Sequence, residues 1–487
     1  MIDKENTTPQ PSVQRWPKIT AAWVGFLALF SIMVIPDRHA FFIPYAPNIH
    51  FASLLFIICT CIVASMGIIW LRADASTHIN LKNNLPIVLF TLFNVVFIIL
   101  AFAHSQLSPT PLNPPQYRWW ANALLLQIAV MCAWYLGQKL STYKIGNRVL
   151  GITLVSGLGT MCVILLSEYL HLAGYVNPLG SLLVTLNSQS IYPVWIWEPW
   201  EALRAQGFGR YPVVYSFTAI MVFCWALASK NLHNLRMAAI TLSAIAIFLT
   251  GSRTALVSLI IISIVFIVLI ARKKGLFQWI RTNIKQLSFT ILVTFLLIGS
   301  IQMLAGPAAF DRGIPFITAA TQELEAPISQ TAQGASGYTD SEPAENQQGQ
   351  LIHDILYVFS SGRIDVWERT LNVINEHPLG VWMTSNSAIG TNAHNELLQF
   401  WLTSGPISAA LYVWLLFWLA FKTRAPEAPL LPPLIVVGIA SFGIFEVVFA
   451  QLVLAPVAFF IIGYLIKPDL ILHKKGQSKT RTVPTTN

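Results

Sequence analysis

Residues 249–274 read LTGSRTALVSLIIISIVFIVLIARKK. Between the Gly-Ser-Arg turn at one end and the Arg-Lys-Lys run at the other, residues 254–271 carry no charge. At 1.5 Å per helical residue this run is long enough to approach the ~30 Å hydrocarbon core of a bilayer. The turn leads back at once into a second apolar run, 233–250. Two helices joined by so short a polar turn, with a basic cluster at the far end of one of them, read as a membrane hairpin.

The rest of the chain repeats the pattern. Of its 487 residues 55% are hydrophobic and only 10% charged, with a mean hydropathy of +0.61. A soluble domain carries about 25% charge. Apolar runs fall at 19–36, 51–72, 86–103, 119–137, 147–167, 212–229, 233–250, 254–271, 287–305, 396–420, 430–450 and 452–466. The fold class expected is an all-α polytopic membrane protein with about 12 transmembrane helices. The polar start, MIDKENTTPQPSVQRWPK, lacks a signal-peptide pattern, so the first span is expected to stay attached. Cys59, Cys61, Cys132, Cys162 and Cys224 all fall inside spans and form no CxxC pair, which reads as core packing and offers no metal site.

Loop charge orients the spans. With residues 1–18 in the cytoplasm, strict alternation puts 22 of the 30 Lys and Arg residues on the cytoplasmic side. That split obeys the positive-inside rule. It also accounts for most of the +9 net charge, which therefore does not argue for nucleic acid. The basic residues left outside are Arg38, Arg118, Arg204, Arg210, Arg253, Arg312, Arg363 and Arg369, with no lysine among them. Selection for translocation could thin out lysine there. Phosphate binding is the alternative, since a guanidinium is always charged and forks onto phosphate oxygens.

The expected organisation is a cytoplasmic tail (1–18), a transmembrane domain (19–305) with an outward segment at 168–211, an outward loop (306–395), the last spans (396–466) and a second cytoplasmic tail (467–487). The 168–211 segment holds Tyr192, Trp195, Trp197 and Trp200, suited to a membrane interface or to stacking on sugar rings. Residues 321–350 are polar, acidic and poor in aromatics, so a mobile stretch is expected. Beyond it, Ile364, Trp367, Leu371 and Ile374 follow helical spacing, with Ser361 as a possible cap and Pro378-Leu379-Gly380 as the stop. That helix would lie on the membrane or cap a cavity.

Chemistry concentrates in three motifs. In GSRTAL (251–256), Arg253 opens a span, where it either anchors the helix end or joins the free N–H groups of that helix in an anion seat. In SSGRIDVWERTLNVI (360–374), Arg363 sits in the first turn of a helix, in reach of Asp365 for an ordinary surface pair. In GTNAHNELLQFWLTSGPISAAL (390–411), His394 and Asn395 precede a span. Asn392 or Asn395 can cap it, and His394 is either an interfacial residue or a general base, since an imidazole titrates near ~6.5. Glu396 could tune it. Arg204 and Arg210 precede the span at 212, and Glu446 is a lone carboxylate within the apolar run 430–450, a functional candidate or a partner for an outward arginine.

In this order and setting the motifs resemble the bacterial O-antigen ligase and O-antigen polymerase superfamily. The resemblance rests on GSRTAL at 251–256, SGRIDVWERTLNVINEHPLG at 361–380 and AHNELLQFWLTSGP at 393–406, with RAQGFGRYPVVYSF (204–217) as an upstream match, and covers roughly 205–415. It implies a GT-C-like membrane fold with a periplasmic helical cap over a lateral cavity, in the bacterial inner membrane with both termini cytoplasmic. It implies that Arg253 and Arg363, with Arg210, bind the diphosphate of an undecaprenyl-diphosphate-linked glycan. His394 would activate the acceptor hydroxyl in an inverting transfer that needs no metal or other cofactor, with Asn395, Glu396, Arg204 and Glu446 in support. The acceptor is taken as a lipid A-core sugar, because the outward insert is single and of moderate size. The alternative is a polymerase joining lipid-linked repeats; a protein O-oligosaccharyltransferase ranks below both. A flippase is the rival class, but the paired broken helices of transporter repeats are not evident in the sequence.

Overall fold

A computed structural model describes residues 15–34, 84–107, 117–142, 147–188, 196–197, 202–209, 212–229, 232–274, 276–305, 363–382, 388–422, 430–449 and 455–465, with isolated helical positions at 58, 61, 62 and 65. In chain order the helices are α1 (Arg15–Val34), α2 (Leu85–Leu107), α3 (Tyr117–Thr142), α4 (Asn147–Leu172), α5 (Pro178–Ser188), α6 (Pro212–Ala228), α7 (His233–Thr250), α8 (Arg253–Lys274) and α9 (Leu276–Ala305). They continue with α10 (Arg363–Glu376), α11 (Glu396–Ser404), α12 (Pro406–Lys422), α13 (Leu431–Gly443) and α14 (Ala455–Leu465). A two-residue antiparallel pair, β1 (Ile196–Trp197) on β2 (Ala202–Leu203), is a small departure from the all-α expectation, pairing Ile196 with Leu203 and Trp197 with Ala202.

Among the described residues, Leu85–His104, Arg148–Leu172, Arg253–Arg272 and Ile280–Leu304 are long and apolar enough to cross a membrane. Shorter apolar helices accompany them along the chain. On α9, Phe289, Leu292, Phe295 and Leu296 stand exposed. A stripe so apolar is a liability in water and ordinary against acyl chains. The expected span 51–72 and the polar stretch 321–350 lie outside the described residues, apart from the isolated positions above.

The hub is α6. Nearly every residue along it is buried, as expected of a helix apolar on all sides. It packs on α7, α13, α8 and α4. Tyr215 ties the hub to its neighbours: its hydroxyl donates to the Val34 carbonyl at 2.7 Å and accepts from the Phe208 N–H at 3.1 Å. The 3-10 turn Gly207–Gly209 is thus fixed to the core.

Two expected spans are interrupted. The run 396–420 breaks at Gly405-Pro406 into α11 and α12. Pro406 brings no N–H to the helix, and Gly405 takes φ 83°. The last carbonyls of α11 are met by another strand of chain: Val381 N–H donates to Leu402 O and Trp382 N–H to Thr403 O, both at 2.9 Å. The run 430–450 is helical only to Gly443; residues 444–449 are turns, and Glu446 lies there rather than inside a span.

The expected helix α10 forms, but its buried face is rotated from the expected one. Thr370 and Ile374 are buried, while Leu371 is 46% exposed. Thr370 tolerates burial because its hydroxyl donates to the Val366 carbonyl at 2.6 Å. Arg363, Trp367, Thr370 and Ile374, at i, i+4, i+7 and i+11, line one side, and α10 packs against α11.

Candidate active site

The start of α11 is built by local rules. Asn395 is its N-cap: its Oδ1 accepts from Leu398 N–H at 3.1 Å. The same side chain donates from Nδ2 to the Ile444 carbonyl at 3.2 Å, pinning the 444–449 turn to the helix. The preceding residue, His394, has φ 48°. Left-handed backbone is uncommon for a residue with a Cβ and costs of order 1–3 kcal/mol. It is held from both sides: Ala393 N–H donates to Gln399 Oε1 at 2.9 Å, and the His394 carbonyl accepts from Trp367 Nε1 at 3.4 Å.

The 444–449 turn is anchored by a carboxylate. Glu396, buried in the first turn of α11, accepts from the N–H groups of Val448 and Phe449. Glu396 therefore acts on the turn. That turn carries Glu446, which is 3% exposed. Its Oε1 accepts from Arg363 Nη2, the first residue of α10. Its Oε2 lies 3.5 Å from His394 Nδ1. Burial pushes the Glu446 carboxyl up, but Arg363, His394 and Arg204 outweigh it and hold it below the ordinary carboxylate range. One carboxylate thus joins residues separated widely in sequence.

The Gly-Ser-Arg turn approaches from the α7–α8 side. Gly251 ends α7 in the left-handed conformation, φ 56°, and Ser252 Oγ accepts from Ala255 N–H at 3.3 Å to cap α8. Arg253 is the first residue of α8 and lies within electrostatic reach of Arg363. Arg204 lies over this turn: its Nε donates to the Thr250 carbonyl at 3.2 Å, and a Cβ on Gly251 would meet its Cγ at 3.3 Å. Burial pushes the Arg204 guanidinium down to about 10, Glu446 works against that, and Arg363 and Arg253 add to it. Even so it stays charged at neutral pH. Arg210 lies outside the described residues.

Glu168, at the end of α4, escaped the reading of the sequence. It is fully buried and accepts from the N–H groups of Gln206 and Gly207 at 2.6 and 2.5 Å. Ala205 N–H donates to the Leu249 carbonyl at 3.0 Å. These bonds set where Arg204 leaves the backbone. No sequence pattern announces them, since the partners are main-chain amides.

Beneath the site, Phe90, Phe400, Tyr412, Phe449 and Phe459 form a mostly edge-to-face cluster with centroids 5.2–5.9 Å apart. It joins α2, α11, α12, α14 and the turn into one floor. Among the described residues no three His, Cys, Asp or Glu side chains gather closely enough to cage a cation. What does gather is positive: the Arg363 and Arg204 guanidinium groups and the His394 imidazole around one carboxylate, with Arg253 in electrostatic reach of both arginines, able to take an anionic group and a proton side by side.

Residues 238–413 match the family model described as O-antigen ligase. Over that stretch, about a third of its length, the chain is similar to the O-antigen ligase family. No curated protein matches it. The matched part includes Arg253, Arg363 and His394, while Glu168, Arg204 and Glu446 lie beyond it.

Proposed function

We propose that the protein transfers a glycan from undecaprenyl diphosphate to a sugar hydroxyl of lipid A-core, on the periplasmic side of the bacterial inner membrane. The observation that carries this reading is the meeting of Arg363 and His394 on Glu446, with Arg204 and Arg253 in electrostatic range. Arg253 and Arg363 bind the diphosphate together with Arg210, with Arg204 beside them. His394 takes the proton from the acceptor hydroxyl as its oxygen bonds to the anomeric carbon. The bond from that carbon to the diphosphate oxygen breaks with inversion, and undecaprenyl diphosphate departs with the electron pair.

The charges fit this step. The leaving diphosphate carries roughly two negative charges, and prepositioned guanidinium groups offset them as they develop. A placed imidazole contributes ~10²–10⁴-fold by general base catalysis. Because arginine supplies the positive charge, transfer is expected to persist in chelator.

Purified protein given a glycan on undecaprenyl diphosphate and a lipid A-core acceptor should release undecaprenyl diphosphate, and His394→Ala should not. A flippase would move the donor without cleaving it. Acceptor choice is read in cells lacking the protein. Long glycan stranded on the lipid carrier marks a ligase; single repeats alone mark a polymerase.

A further inference from the structure

We infer that Glu446 is the positioning residue of the base: it holds His394 with the proton on Nδ1 and Nε2 free toward the acceptor, and ties that ring to Arg363. The inference rests on the proposed role of His394 as base. The Nδ1 atom is itself buried, whereas the side chain is 30% exposed, so the open edge of the ring is the one that carries Nε2. Glu446 Oε2, 3.5 Å from Nδ1, is an acceptor and not a donor when ionised. A proton on Nδ1 satisfies both groups, and the separation is one that ring rotation closes as the site fills. Nε2 is then the basic nitrogen.

The two carboxylate oxygens divide the work. Oε1 takes Arg363 and Oε2 faces His394, so one planar group sets the base at a fixed separation from a guanidinium assigned to the leaving diphosphate. The backbone reinforces this. His394 is left-handed at φ 48°, and the Glu446 turn is fastened to α11 by Asn395 and Glu396. As Nε2 gains its proton, the carboxylate faces the new positive charge.

Glu446→Gln gives a sharp test. The amide oxygen can still accept from Arg363, which turns the amide N–H₂ toward Nδ1. Nδ1 must then accept, the ring proton moves to Nε2, and the base is blocked. A wrong tautomer with intact geometry can cost a catalytic imidazole about 10⁴-fold in the serine-protease precedent. The expected result is a fall in kcat of roughly 10²-fold or more with the donor KM within about threefold, and partial recovery in Glu446→Asp. Histidine ¹⁵N spectra of the full-length protein, assigned by comparison with His394→Ala, should show neutral His394 as the Nδ1–H form in wild type and the Nε2–H form in Glu446→Gln. A wild-type Nε2–H tautomer, or unchanged kcat in a folded Glu446→Gln protein, overturns the inference. If Glu446→Gln does not fold, the wild-type spectrum decides. Full activity of His394→Ala would instead remove the base assignment itself.

Discussion

The backbones of Gly380 and Gly405 touch: a Cβ on Gly380 would collide with Gly405 N, and one on Gly405 with the Leu379 carbonyl. Both glycines also have positive φ, 85° and 83°. The contact locks the stop of α10 onto the break between α11 and α12, where Trp382 rests on Phe93 and Phe97 of α2 with centroids 6.4 and 6.2 Å away. Alanine at either position costs of order 1–3 kcal/mol from backbone conformation alone, before the collision is relieved. Gly380→Ala and Gly405→Ala should each lower the thermal midpoint in detergent by a few degrees and depress transfer, although neither touches the charged cluster.

Arg363 and Glu446 should behave as one unit. Removing Arg363 leaves a buried carboxylate with its strongest partner gone, and removing Glu446 leaves a half-buried guanidinium. Breaking a buried pair from one side costs more than removing both partners. In a double-mutant cycle of Arg363→Ala and Glu446→Ala, unfolding free energies should therefore be non-additive, with a coupling on the order of 1–3 kcal/mol. Additive values would show that the two side chains do not interact in the folded protein.

Features written in a few neighbouring residues were readable from sequence. Gly251 ending one helix and Arg253 opening the next follow from local rules and stand in the fold, and of the two asparagines that could cap α11, Asn392 and Asn395, the fold uses Asn395 beside His394. Features made by distant main chain were not. Apolar residues run through 444–449, so hydropathy carried the expected span past Gly443; what makes it a turn is the Glu396 carboxylate reaching the amides of Val448 and Phe449. Gly405-Pro406 is a breaker in plain view, yet the apolar run on both sides hid it. On α10, hydrophobicity pointed to Leu371, while burial fell to Thr370, which satisfies its own hydroxyl.

Arg253→Lys keeps the charge and loses the fork. A lysine at the first position of α8 offers a point charge where a guanidinium grips two oxygens at once. A hydrogen bond to a charged group is worth ~1.5–3 kcal/mol. The donor KM of Arg253→Lys should therefore rise roughly tenfold or more, measured with purified lipid-linked glycan. Unchanged donor affinity would exclude two-pronged phosphate binding at this position.

Glu168→Ala should impair transfer from a distance. It leaves the N–H groups of Gln206 and Gly207 buried without their carboxylate, at ~1–3 kcal/mol each. The loop that carries Arg204 then loses its anchor. Glu168→Gln keeps one acceptor oxygen and should be milder in both thermal midpoint and activity. Equal effects of the two substitutions would mean that the carboxylate does not hold the loop.

Acid should weaken the fold through Glu446. Its carboxyl titrates below the ordinary value in the folded chain, near ~4.3 when unfolded, so the folded form favours the charged state. That stabilisation is complete above the unfolded value and is lost as pH falls through the folded one. Between about pH 5 and pH 3 the thermal midpoint of wild type should fall more steeply than that of Glu446→Gln, which has no proton to take up at this position. The gap between the two proteins should narrow in acid, as the Glu446 carboxylate takes up its proton. A gap that stays constant throughout would show that Glu446 is not held ionised by Arg363 and His394.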